Sequence, residues 1–205
     1  MKSIRSLLLV GICSLSFLWT THAQETSLPA NVNFTKVQSA RLEWQNAERS
    51  GLKLPPYTGN TLLQHSAQAR AETLRDEWTV THQRLSSDGY YNYRSIKSRF
   101  ADQGVSFNDT VGTSFSESLA RWLYSCNKDD CTDTFIKAIK SAFNYFMKEK
   151  WHAYQPHYQA IVSKSFTSLG LGIAMSGKKY YLVSHYGKNV VKAKAKPIQL
   201  AKAGK

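Results

Sequence analysis

Two histidines and two glutamates, His82, Glu117, Glu149 and His157, carry most of the chemistry this chain could do. Glu117 stands in the otherwise uncharged stretch SFSESLA, and a carboxylate among apolar strand positions is costly unless it is paired or faces water. Glu149 closes the run FIKAIKSAFNYFMKE, where a helix dipole disfavours negative charge. His157 comes eight positions later, after Pro156 has ended any helix, and His82 lies in the loop-like THQRLSSDGYYNY. Imidazoles and carboxylates can hold and transfer protons, but these four span 75 positions and work together only if the fold brings them to one pocket. Ser114, Ser116 and Ser118 flank Glu117, yet no G-x-S-x-G elbow supports a serine nucleophile.

The elements that must position these groups follow from periodicity. A helix is predicted over 35–49, with Val37, Ala40, Trp44 and Ala47 on one face, stopped by Gly51 and Pro55-Pro56. A second runs from about Asn60 with Leu63, Ala67, Ala71, Leu74 and Trp78 as its stripe, and a third covers 93–103. A strand is expected over 115–119. A long helix then starts near Thr132 or Asp133, either of which could cap it, with Phe135, Ile136, Ile139, Ala142, Phe143 and Phe146 following the 3.6-residue period. Leu169, Leu171 and Ile173 alternate with Gly170 and Gly172 as a strand whose missing side chains permit close approach of another element. Ser176-Gly177 turns the chain into a partner strand over 180–186. Helices ahead of a terminal hairpin indicate an α+β domain.

Residues 1–23 read as a signal peptide. Lys2 and Arg5 precede a short apolar run, and Thr21-His22-Ala23 suits a signal peptidase. The expectation is a secreted or periplasmic protein with a polar linker over 24–34. Without the leader two cysteines remain, Cys126 and Cys131, in CNKDDC. An even count in an exported chain favours a disulfide, and two thiols with no nearby histidine half-fill a zinc tetrahedron. The formal net charge is +13, of which two charges sit in the leader and six lysines in the last 18 residues, leaving +5 for the domain. Residues 188–205 are therefore expected to be a disordered lysine-rich tail suited to an anionic envelope surface. No arginine and aromatic interleaving accompanies the lysines, which argues against nucleic acid.

The stretch HYQAIVSKSFTSLGLGIA resembles the G-H-[YF]-x-x-[IM]-V…G-x-G signature of the CAP superfamily, the cysteine-rich secretory, antigen 5 and pathogenesis-related-1 proteins. Phe146-Met147-Lys148-Glu149 resembles that family's Trp-x-x-Glu helix end, and Ser116-Glu117-Ser118 stands in place of Gly-Glu-Asn. The likeness spans roughly residues 37–187 and points to a bacterial SCP-like protein. It implies a three-layer α-β-α sandwich, with an antiparallel sheet between helices, over residues 35–187. It also implies a cleft lined by His82, Glu117, Glu149 and His157. In the family the two histidines can hold a divalent metal such as zinc, and neutral imidazoles oriented by carboxylates suit that ion. Two imidazoles alone make an open, weak site. His152 competes for the second metal position, while His65 and His185 read as surface or core histidines. Pro156 replaces the family's glycine before His157, and the lysine tail replaces its cysteine-bearing C-terminal pattern.

Three functions compete on this reading. One is a non-enzymatic binding module for a lipid or sterol-like ligand, with Tyr90, Tyr91, Tyr93, Trp122 and Tyr124 as an apolar wall. A second is a metal-dependent hydrolase using Glu117 or Glu149 as catalytic base. The third is an adhesive role in the cell envelope. The sequence ranks the binding module first, and oligomeric state leaves no trace in it.

Overall fold

A computed structural model describes residues 28–109 and 113–194. The expected signal peptide over residues 1–23 and residues 195–205 of the expected tail lie outside the described residues. Among those described, no helix is long and apolar enough to cross a membrane.

Three of the helices start on asparagine, whose side chain accepts a hydrogen bond from a first-turn amide. Asn33 caps α1 (Phe34–Gly51), Asn60 caps α2 (Thr61–Asp76) and Asn92 caps α3 (Tyr93–Asp102). The fourth, α4 (Thr132–Lys148), starts differently. Cys131 holds the cap position without a side-chain bond, so neither Thr132 nor Asp133 caps the helix as expected. Thr132 instead donates its amide to Asp130 (2.8 Å), and its hydroxyl accepts from the Asn33 amide (2.8 Å). A 3-10 turn, Glu149–Trp151, then leads to the short α5 (Pro156–Ile161).

The main sheet runs β1 (Thr58–Gly59), β4 (Ser168–Ser176), β5 (Lys179–Gly187), β3 (Phe115–Leu123). The hairpin and β3 are antiparallel, but β1 pairs parallel to β4, so the sheet is mixed rather than purely antiparallel. One face packs on α1, α4 and α5 through a core that includes Val37, Phe135, Ile139, Phe143, Ile161, Ile173 and Tyr186. The other face packs on α2 through Ala67, Ala71, Leu74, Tyr181 and Val183, continued toward α3 by Leu63, Ile96, Phe100 and Phe115. This is the expected three-layer α-β-α sandwich.

The glycines of β4 do what their spacing predicted. A Cβ at Gly170 would stand 2.2 Å from the Leu63 carbonyl carbon, and one at Gly172 would stand 2.1 Å from that of Ala67. The backbone of α2 therefore rests directly on the strand. Gln68 uses that proximity to bond both the amide and the carbonyl of Ile173 (3.0 and 2.9 Å).

Besides β3, which runs on to Leu123, and α2, which ends at Asp76 short of Trp78, two domain boundaries shift from the sequence reading. Val190–Lys192 forms β6, antiparallel to β2 (Val105–Phe107), so the fold runs past residue 187 and the tail is not free from 188. At the other end, residues 28–33 are part of the domain rather than linker: Val32 is buried, and the Asn31 carbonyl accepts from the Cys131 amide (2.8 Å). The Cys126–Cys131 disulfide closes the loop that receives this segment.

Candidate functional site

β3 carries Glu117 into the interior, 4% exposed, beside the loop that follows α2. The carboxylate is fully engaged. Oε1 accepts from His82 Nδ1 (2.8 Å), while Oε2 accepts from Arg84 Nη2 (2.5 Å) and His185 Nε2 (2.9 Å). Burial alone would raise the Glu117 pKa, but the hydrogen bonds from His185 and His82 and the Arg84 charge outweigh it and hold the group well below the carboxylate range. Burial pushes His185 the other way, below the ordinary histidine value, although Glu117 pulls upward. A neutral His185 that donates from Nε2 must accept at Nδ1, where Ser66 Oγ lies 2.8 Å away.

The loop bearing His82 and Arg84 is pinned from below. Asp88 accepts the Arg84 and Leu85 amides (both 3.1 Å) and bonds Asn92 and Ser95 at the start of α3. Arg84 Nη1 also donates to the His82 carbonyl (2.8 Å), which fixes the two side chains relative to each other.

Glu149 and His157 form a second pair at the α4–α5 junction. Glu149 Oε1 accepts from His157 Nδ1 (2.5 Å), and Oε2 accepts from the amides of His157 (2.9 Å) and Tyr158 (3.2 Å). The glutamate that looked misplaced at a helix C-terminus thus satisfies first-turn amides of α5. The His157 ring stacks on Phe146, centroids 4.3 Å apart and planes 4° apart.

His82, Glu117, Glu149 and His157 all line one cavity of about 1060 Å³. Its remaining wall includes Leu52, Leu54, Tyr90, Tyr91, Phe115 and Phe166. Tyr90 and Tyr91 flank the His82 ring at 5.3 and 4.9 Å. The other expected wall aromatics lie elsewhere: Tyr93 stacks on Phe115, Trp122 meets Tyr145 at the surface, and Tyr124 packs in the core against Phe135. His152 and His65 are exposed and outside the cavity lining, whereas His185 is a core histidine with a partner the sequence did not reveal. Arg84, His185 and Ser66 are the site residues that sequence reasoning missed. The register that sets Glu117 opposite His185 joins β3 to a strand more than 60 positions away, and no local pattern encodes it.

A family model described as the cysteine-rich secretory protein family, CAP, matches residues 42–186. The chain belongs to this family. Comparison with curated protein sequences gives no match. Among solved structures, an outer surface protein from Borrelia burgdorferi is similar at 14% identity, TM-score 0.55, over 77% of this chain and 96% of that one. An extracellular SCP-domain protein from Bacillus anthracis is similar at 16% identity, TM-score 0.47, over 74% of this chain and 39% of that one. A cysteine-rich secretory protein from Staphylococcus aureus is similar at 14% identity, TM-score 0.46, over 78% of this chain and 40% of that one. At 14% identity the likeness to the Borrelia protein speaks to fold alone. In this CAP domain the four residues marked by the family motifs meet as two histidine–glutamate pairs in one cleft.

Proposed function

We propose that this CAP domain is an extracytoplasmic binding module whose cleft takes an amphipathic, lipid-like ligand and holds a divalent metal weakly at His82 and His157. The observation that carries the reading is the composition of the cavity: tyrosine, phenylalanine and leucine side chains share it with two imidazoles whose Nδ1 atoms are each tied to a carboxylate. Small-molecule sites are typically apolar cavities with a few placed polar groups. An Nδ1–H donated to a carboxylate leaves Nε2 as the free lone pair, the arrangement in which histidines bind zinc. No group of three or more metal-ligating side chains gathers among the described residues, so zinc would find here only two imidazoles and an open, weak site. A bound zinc would act as a Lewis acid toward a polar headgroup.

The hydrolase reading is weaker. Glu117 accepts three hydrogen bonds and Glu149 three, so every carboxylate oxygen already has a protein partner and both groups are engaged in orienting their histidines. Export accords with the leader-like N-terminus and with the disulfide, since such bonds persist in oxidising compartments. The envelope-anchoring role rests on the lysines of residues 188–205, of which 195–205 lie outside the described part of the chain.

Zinc calorimetry on the metal-stripped protein, beside the His82→Ala, His157→Ala double variant, tests the metal. Saturable binding that disappears in the variant is expected, and binding that survives there removes the proposed ligands. Extraction of fluorescent fatty acid or sterol tests the cleft. A Tyr91→Asp substitution should abolish uptake, and no uptake by the wild type would exclude the lipid-like ligand.

A further inference from the structure

Behind Glu117 lies a second cavity, of about 520 Å³, between α2, the 81–86 loop and α3. Arg84 and His185 line it while bonding the carboxylate that lines the cleft. Two more arginines reach it, Arg70 from α2 and Arg99 from α3. The acids on its wall are Glu77 and Asp102.

The three arginines equal Glu77, Asp102 and Glu117 in number, but they do not all meet as ion pairs. Arg84 is committed to Glu117, and Arg99 lies 3.5 Å from Asp102 with its side chain half exposed. Arg70 is 4% exposed and makes no ion pair among the described residues. Its Nη2 donates to the backbone carbonyls of Thr81 and Gln83, and its Nε has no hydrogen-bond partner. Buried charges are normally paired, and an unpaired guanidinium facing a cavity is an electrostatic cost that an anion would relieve. Burial, with the Arg84 charge adding to it, pushes the Arg70 pKa down to about 10 against the upward pull of Glu117 and Glu77.

We propose that this second cavity binds a phosphate-bearing ligand through Arg70 and Arg99, with Ser86 and Gln103 as neutral donors on the same wall. The planar fork of Arg99 matches phosphate oxygens in pairs, while Arg70, whose Nη2 is held by two carbonyls and whose Nε is buried, adds positive charge beside it. The volume leaves room for the group esterified to the phosphate, whether that is a small soluble metabolite or a lipid headgroup.

Calorimetry and amide chemical shifts on the whole chain test this with inorganic phosphate and glycerol 1-phosphate in solution. Co-sedimentation with phosphatidylcholine vesicles, with and without phosphatidate, forms the second arm. Saturable binding at one site is expected in at least one arm, and which arm responds identifies the source. Arg70→Gln removes the buried charge and should weaken binding about tenfold. Arg99→Gln alters a half-exposed side chain, so the fold should survive, and it should weaken binding several-fold. The proposal fails if the wild type binds in neither arm, or if Arg99→Gln binds as tightly as the wild type.

Discussion

Glu117 stays ionised in the interior because three side chains from two other segments reach its two oxygens. Removing one partner of such a buried set leaves the others uncompensated, so Glu117→Gln should cost about 3–5 kcal/mol in urea unfolding. His185 makes a prediction in pH. Its folded pKa lies below the ordinary value, so between that pKa and about pH 6.5 the unfolded chain takes up a proton that the folded chain does not. Stability should therefore be full above about pH 6.5 and decline as pH falls through this window. His185→Asn should remove that slope while lowering stability throughout, as read from urea midpoints across pH. An identical acid limb in the variant would mean another group is responsible. Of the residues in this network, the sequence made Glu117 conspicuous as the lone charge in a strand. It gave no hint of Arg84 or His185, because their roles depend on cross-strand register and on where one loop folds back.

At the scale of elements, legibility needed an apolar period as well as length: the 18-residue α1 buries Val37, Arg41, Gln45 and Arg49 in place of the expected Ala40, Trp44 and Ala47. The stripe of α4 and the glycine alternation of β4 are long enough for a period to show, and both behave as read. β1, β2 and β6 span two or three residues each, too few to carry a period, and they are what makes the sheet mixed and carries the fold beyond residue 187. The contact between β4 and α2 is unforgiving, since the atoms a new methyl would meet are backbone. Gly172→Ala should destabilise by about 3 kcal/mol or more, the upper range for overpacking, and a thermal melt will show it. A melt unchanged by the substitution would mean that α2 can lift off the strand. The disulfide is a smaller contributor. Its loop is short, with a sequence separation of 5, so chain-entropy arguments give it about 2 kcal/mol. Reduction should lower the melting temperature modestly, with hydrogen exchange rising first around Asn31 and Val32.

For the whole molecule, the resemblance in the sequence conveyed the architecture, and the structure adds how the layers depend on one another. α1 and α2 lie on opposite faces of the same hairpin, and neither face exists until that hairpin forms. The bonds that tie them down cross long stretches of chain. Arg49 Nη1 donates to the Ile161 carbonyl 112 positions on, Gln68 bonds Ile173 at 105, and the Tyr57 hydroxyl donates to the Ala160 carbonyl at 103.

That placement of β4 and β5 has a consequence in time. During synthesis the N-terminal half emerges first, yet its helices have no sheet to bury their apolar stripes against until residues 168–187 follow. Such non-local closure slows folding, and short helices alone are marginal in water. A chain ended at residue 167 should therefore show little helix by circular dichroism and no cooperative melt. The domain's birth is a single late event, and until the last hairpin is made the nascent chain remains extended and open to whatever carries it.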